Sequence, residues 1–291
     1  MATLNINNIP SPTWGFLGMN GARIERDEGG RDESFAAASA KNETKTENIG
    51  IAADGGIVNA DISLAADENG ELCVFLKAGG SGDIFIKLSA NVGEDAVIRL
   101  VFEQSRAQDS RLVAQLDADV QARGRFELFS FFPGTRETYV QSNTTLSGDD
   151  SRLVSRTFYL GDSGDKLDLN YIASHLGRNT ESDITASGAL DGSAKKTFRG
   201  TIDFRRGSSG SHGVETENVL LLADDIENKT LPVILCEEED VNGAHGATIG
   251  DLSDETLFYF ASRGISAADA AMLLKNSVYD SFKRAYGGQH E

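Results

Sequence analysis

A chain of 291 residues suits one large all-β unit or two ordinary domains, and it buries a core without disulfide or metal staples. Against 27 Lys and Arg stand 45 Asp and Glu, a formal charge of −18 that excludes a basic stripe for nucleic acid and disfavours anionic membrane surfaces. Two cysteines, Cys73 and Cys236, are too few for a disulfide framework and have no CxxC spacing. The opening MATLNINNIPSPTW lacks a cationic or apolar leader, and no apolar run approaches the roughly 20 residues needed to span a bilayer, so a reduced, cytoplasmic protein is expected.

In chain order, residues 1–48 read as a lead-in segment. Pro10 and Pro12 favour extended backbone; an apolar, glycine-broken stretch (Trp14 to Gly21) follows, then a polar loop over 25–34. The segment FAAASAK (35–41) predicts two turns of helix. From 49 to 250 the pattern becomes period-two alternation, which half-buried strands require. The clearest runs are 72–76, 83–88, 96–102, 126–132, 167–172 and 197–204, separated by turn clusters such as Gly79-Gly80-Ser81-Gly82 and Asp191-Gly192. About 200 residues of strands without helices predict a sandwich, barrel or solenoid. No fixed repeat length emerges.

Residues 251–291 switch to helix. Ser253 with Asp254 and Glu255 forms a cap and acidic first turn, and Gly264 supplies a C-terminal cap. Ser266 with Asp269 opens a second helix with one apolar face: Ala271, Leu274, Val278, Phe282 and Ala285.

Recurrent enzyme signatures are missing: no G-x-S-x-G, Walker A or G-x-G-x-x-G, and no two of His175, His212, His245 and His290 stand at i, i+4. No catalytic residue is assigned. Gly79–Ile84 reads as a hairpin turn rather than a calcium repeat. Arg205–His212 reads as a mobile loop, with anion binding as the alternative. Glu237, Glu238, Glu239 and Asp240 followed by His245 carry plausible iron or zinc ligands, against the alternative of a solvated acidic turn. A metal-dependent enzyme centred on His245 and the three glutamates, and an acidic β-solenoid binding metal or a protein partner, are the rival readings.

The run D-V-N-G-A-H-G-A-T-I-G (Asp240 to Gly250), then L-F-Y-F-A-S-R-G-I-S (Leu257 to Ser266), resembles the C-terminal signature of the SufB/SufD family. The segments F-R-G-T-I-D-F (198–204), E-N-V-L-L-L-A-D-D (217–225), L-P-V-I-L (231–235) and P-T-W-G-F-L-G-M-N (12–20) are similar to that family's other motifs, in the same order. The resemblance implies a right-handed parallel β-helix, a single-stranded solenoid, with a short C-terminal two-helix domain. It implies a non-catalytic, SufD-like scaffold subunit of an iron–sulfur cluster assembly complex. That subunit would pair edge to edge with a SufB-like subunit or with itself, and hold no stable cofactor beyond a transient cluster at the interface. His245 matches the histidine that SufD members contribute there, with Glu239 and Cys236 as further candidates, although a buried strand position is the expectation for Cys236 and for Cys73. Ile226 stands where SufB members carry a cysteine, Ala244 and Gly246 where they carry acids, and Gly243 where many SufD members carry a cysteine. These departures favour a SufD-like role. The C-terminal helices, through Leu257, Phe258, Phe260, Arg263, Leu274, Val278 and Phe282, would dock a SufC-type ABC ATPase. Set against the resemblance, the sequence is expected to lack most of the family's N-terminal helical domain.

Overall fold

The structure, a computed structural model, describes residues 2–287 apart from 14, 106 and 108; His290 and Trp14 therefore lie outside the described residues. After a two-stranded antiparallel ribbon, β1 (Ala2–Ile6) and β2 (Ala22–Arg26), the chain winds into a parallel solenoid of about eight turns. Each turn contributes one strand to each of two eight-stranded sheets. One sheet holds β3 (Arg31–Ser39), β5 (Ile57–Ala66), β7 (Asp83–Val92), β9 (Arg111–Val120), β11 (Glu137–Leu146), β13 (Lys166–His175), β15 (Lys195–Phe204) and β17 (Glu227–Cys236). The other holds β4 (Thr44–Ala52), β6 (Glu71–Gly79), β8 (Val97–Gln104), β10 (Arg125–Phe132), β12 (Arg152–Gly161), β14 (Glu181–Leu190), β16 (Ser211–Leu221) and β18 (Val241–Asp251). Period-two alternation has a direct physical cause: one row of each strand points between the sheets, as Leu72, Val74, Leu76 and Ala78 do on β6, each at most 1% exposed.

The corners from the first sheet to the second share one device. Asn42, Asn69, Asp95, Arg123, Asp150, Asn179 and Gly210 all have positive φ. Each N–H donates to a corner carbonyl of the following turn, from Asn42 N to Glu68 O through Asn179 N to Ser209 O and Gly210 N to Asp240 O. Successive separations run from 26 residues (69 to 95) to 31 (179 to 210), which is why no fixed period is visible in the sequence.

The central turns of both outer faces are covered. The N-terminal ribbon lies on the first sheet, Ile6 and Ile24 packing on Phe85, Val113 and Tyr139. It is pinned by the buried Arg199, whose Nε donates to Met19 O and whose Nη1 donates to Asp168 (2.5 Å). The Asn7 amide donates to the same carboxylate at 2.6 Å. Against the second sheet packs α2 (Ala267–Gly287): Phe282 is fully buried, stacked on Phe131 with ring centroids 5.5 Å apart. Lys275 ties the helix to Asp162 and to Asp191 (2.6 Å). Burial on both sides explains the run FELFSFF in β10.

Several expectations need correction. Residues 35–39 of FAAASAK are strand, because Phe35 and Ala37 pair with Ile62 and Leu64 and sheet packing outweighs the helix preference of alanine. Residues 25–34 contain the end of β2 and the start of β3 rather than one loop. The parallel ladders begin at Arg31, ahead of residue 49. Cys73 points outward and is half-buried, not core, since it alternates with Leu72 and Val74.

Candidate functional site

The terminal strands β17 and β18 each pair on one side only, with β15 and β16, so the solenoid ends in an open mouth. Proline at 232 suits an edge strand, where a missing N–H is tolerated. His245 is in register with Glu215 of β16, Ala247 with Glu217 and Ile249 with Val219. Glu215, Glu217 and Val219 belong to the buried inward row, so His245 shares that row and stands over Glu215 at the exposed mouth. On β17, Thr230, Ile234 and Cys236 continue the inward row of Phe198, Ile202 and Phe204.

Cys236 is exposed rather than buried, because no further turn covers it; its thiol donates to Glu238 O at 3.0 Å. Glu239 is exposed in the corner between β17 and β18. Its acidic neighbours serve that corner: Glu238 accepts from Gly207 N (2.9 Å), Asp240 from Ser209 Oγ (2.8 Å) and Glu237 from Arg205 (3.3 Å). The Arg205–His212 segment is thus held by its own chain's carboxylates. Among the described residues no three His, Cys, Asp or Glu side chains converge to hold a metal ion, so His245, Cys236 and Glu239 do not form a complete centre.

Beneath the mouth lies a polar cluster that sequence reasoning missed. Lys196, 1% exposed, donates to Glu217 (2.6 Å) and Thr230 (3.2 Å), and Tyr159 donates to Glu217 at 2.8 Å. Burial depresses the Lys196 ammonium and raises the Tyr159 phenol, the latter with help from the Glu217 charge. Glu215 is 1% exposed and neither oxygen has a hydrogen-bond partner. Its carboxyl is pushed up to about 8, first by burial and then by Glu217, with Lys196 opposing. Gly200 makes the room: a Cβ there would lie 2.5 Å from Glu215 Cγ. The signal was available, since Lys196 falls in phase with Phe198 and Ile202, and Glu215 and Glu217 fall in phase with Val219.

α1 (Asp254–Ser262) is capped by Ser253, which accepts from Thr256 N, and ends in a left-handed Gly264 with Ile265 N donating to Phe260 O. Ser266 caps α2 by accepting from Asp269 N at 3.1 Å. The two helices leave Phe258 (75% exposed), Tyr259, Met272 and Leu273 in solvent. Leu257, Phe260 and Leu274 are half-buried and Arg263 is exposed. Phe282 and Val278 are not available to a partner; they pack on Val101, Phe131 and Phe158 of the solenoid. The amphipathic stripe was read rightly, but its cover is the chain's own sheet.

Residues 49–278 match the family model described as SUF system FeS cluster assembly, SufBD core domain. The chain belongs to the SufBD family. It is 27% identical to the iron–sulfur cluster assembly protein SufD of Bacillus subtilis over 156 residues, 53% of this chain and 36% of that protein. To SufB of the same organism it is 25% identical over 151 residues, 52% of this chain and 32% of the relative. A SufBD family protein of Staphylococcus epidermidis is 23% identical over 193 residues, 66% of this chain and 42% of the relative. The SufBD chain described here thus spans well under half the length of these relatives. No described helix is long and apolar enough to cross a membrane.

Proposed function

We propose that this SufBD chain is a non-catalytic, SufD-like scaffold subunit of a cytoplasmic iron–sulfur cluster assembly complex. Its open mouth pairs edge to edge with a SufB-like subunit or a second copy, and its C-terminal helices dock a SufC-type ABC ATPase. The observation that carries this reading is the terminal edge itself. Strand β18 has ten consecutive uncharged residues, Val241 to Gly250, with His245 at their centre. An unprotected strand edge of this kind is a template for another strand. Iron and sulfide are cargo here. His245, from an inward row at the mouth, would present an imidazole to them across the interface, and the partner would complete the ligand set. ATP hydrolysis belongs to the partner, consistent with the absence of a Walker A motif in this sequence.

The exposed apolar side chains Phe258, Met272 and Leu273 are the docking surface this reading selects. The test is co-purification with the ABC-type ATPase and the SufB-like protein of the same genome. Wild type is compared with a Phe258→Ser, Met272→Ser, Leu273→Ser variant. Retention of the ATPase by wild type and its release by the folded variant supports docking. Equal retention, or no capture of either protein by wild type, refutes it.

A further inference from the structure

We propose that the N-terminal ribbon braces the assembly face from outside, and that Arg199 is the positioning residue through which it holds β17. The inference rests on the reading of the mouth as that face. Its basis is one row of side chains on the outer face of the first sheet. Gln141 of β11, Asn170 of β13 and Arg199 of β15 are successive ladder partners, and the next member of the row is Leu231 of β17. Each of the three polar members holds a main-chain group of the lead-in segment. Gln141 Oε1 accepts from Asn7 N (2.8 Å), Asn170 Nδ2 donates to Asn8 O (3.3 Å) and Arg199 Nε donates to Met19 O. Ile9 N closes the intervening loop by donating to Asn20 O at 3.1 Å. A strap thus crosses three consecutive strands, and its last tie stands one ladder step from the terminal strand.

Arg199 is the strongest of these ties, because its bonds are charge-assisted and out of water. It is fully buried, and its fork also bonds Asp168 on β13 at 2.5 and 3.4 Å, while Asp168 accepts from the Asn7 amide at 2.6 Å. One guanidinium therefore locks two strands to both ends of the strap, which the compact ammonium of a lysine could not do. β17 depends on that lock. It pairs with β15 alone, and its outward residues Leu231, Val233 and Leu235 are only half-buried. On the inward side Thr230 ties it to Lys196, again on β15, and to Glu217. The position of β15 thus decides where β17 stands. The second sheet has its brace farther back: α2 packs chiefly on β10, β12 and β14, two strands short of β18. Cutting the strap should loosen β17 and leave β18 as it is.

The experiment is amide hydrogen exchange on the full chain, with capture of the SufB-like protein of the same genome measured beside it. Wild type is compared with the double variant Arg199→Met, Asp168→Leu, and with Arg199→Lys. Replacing both members of a buried ion pair by apolar residues strands no charge, so the fold is retained, and thermal melting verifies it. Arg199→Lys keeps a charge beside Asp168 but loses the fork, and it decides alone should the double variant fail to fold. The expected result in both variants is at least tenfold faster exchange at the β17 amides that donate to β15, with β7, β9 and β18 unchanged. Partner capture is expected to weaken at least tenfold. Unchanged protection of β17 overturns the proposal, and so does equal acceleration in β7 and β9, which would make the strap a stabiliser of the whole coil. Faster exchange with undiminished capture also overturns it and leaves the scaffold reading standing. If wild type captures no partner, the scaffold reading itself falls and takes the brace with it.

Discussion

The first strands of the solenoid, β3 and β4, and the last, β17 and β18, hold equivalent positions, since each has one hydrogen-bonding edge without a neighbouring strand. Their chemistry differs most between β4 and β18. The starting edge is studded with charge: Arg31 pairs with Glu33 at 2.7 Å and Lys45 with Glu47 at 3.0 Å, which blunts recruitment of a foreign strand. On the terminal edge β17 keeps one such pair, Glu227 with Lys229 at 2.6 Å, whereas β18 has no charge between Val241 and Gly250. Beneath the starting edge the inward rows are aliphatic, as in Val58, Ala60, Ile62 and Leu64. Beneath the terminal edge they carry Lys196, Glu215 and Glu217. One end is built to be left alone and the other to receive something, although the same coil geometry underlies both.

The contrast can be broken most forcefully at its buried charges. Lys196→Ala strands the buried Glu217 without its counter-ion and is expected to cost about 3–5 kcal/mol in chemical denaturation. A loss below 1 kcal/mol would mean that the cluster is hydrated rather than paired. At the mouth, Ile249→Lys places a charge on the bare edge and is expected to weaken pairing with the partner by about 3 kcal/mol, more than a hundredfold. Unchanged binding in analytical ultracentrifugation would move the interface elsewhere.

A third test uses pH. His175 is buried, bonded to Thr180 (2.7 Å) and Ser182 (2.8 Å), and burial lowers its pKa from 6.5 to about 4. The unfolded chain therefore binds this proton more readily than the folded one, so the stabilisation is intact above pH 6.5 and fades as pH falls through about 4. His175→Gln should flatten the melting temperature across that window; parallel curves for both proteins would refute the assignment. Glu215 has the opposite sign. Its folded value near 8 lies above the ordinary 4.5, so stability falls as pH rises from 4.5 through about 8, and Glu215→Gln should melt higher than wild type at pH 9. The smallest effect belongs to the starting edge. Replacing Arg31 and Glu33 by Thr changes stability by less than about 0.5 kcal/mol, since exposed ion pairs contribute little, but raises self-association in light scattering.

Strands were legible because alternation is a direct consequence of side chains pointing to opposite faces, and the helices because Ser253, Gly264 and Ser266 are cap residues in cap positions. What a face packs against was not legible. The stripe containing Phe282 predicts burial equally well against a partner or against β10 and β12. Alanine-rich 35–39 read as helix because ladder pairing with β5 is a contact made 27 residues away, Phe35 to Ile62. His245 was found through family resemblance, whereas Glu215 needed the register, since only pairing puts it under His245.

The column of left-handed corner residues also governs how this architecture can change. From Asn69 to Gly210 each lies two residues before its strand's first ladder partner on the preceding turn (for Gly210, His212 opposite Glu181), as Asn42 lies two before Thr44 of β4, whether the corner has four residues (40–43), five (147–151) or six (205–210). Extra residues therefore enter ahead of the left-handed position and never after it. Insertions made at 147–148 or 205–207 should pass unnoticed by the ladders, while a single residue added after Asn179 would slip every side chain of β14 to the wrong face. Length in this molecule is adjustable, but only from one side of a fixed pin.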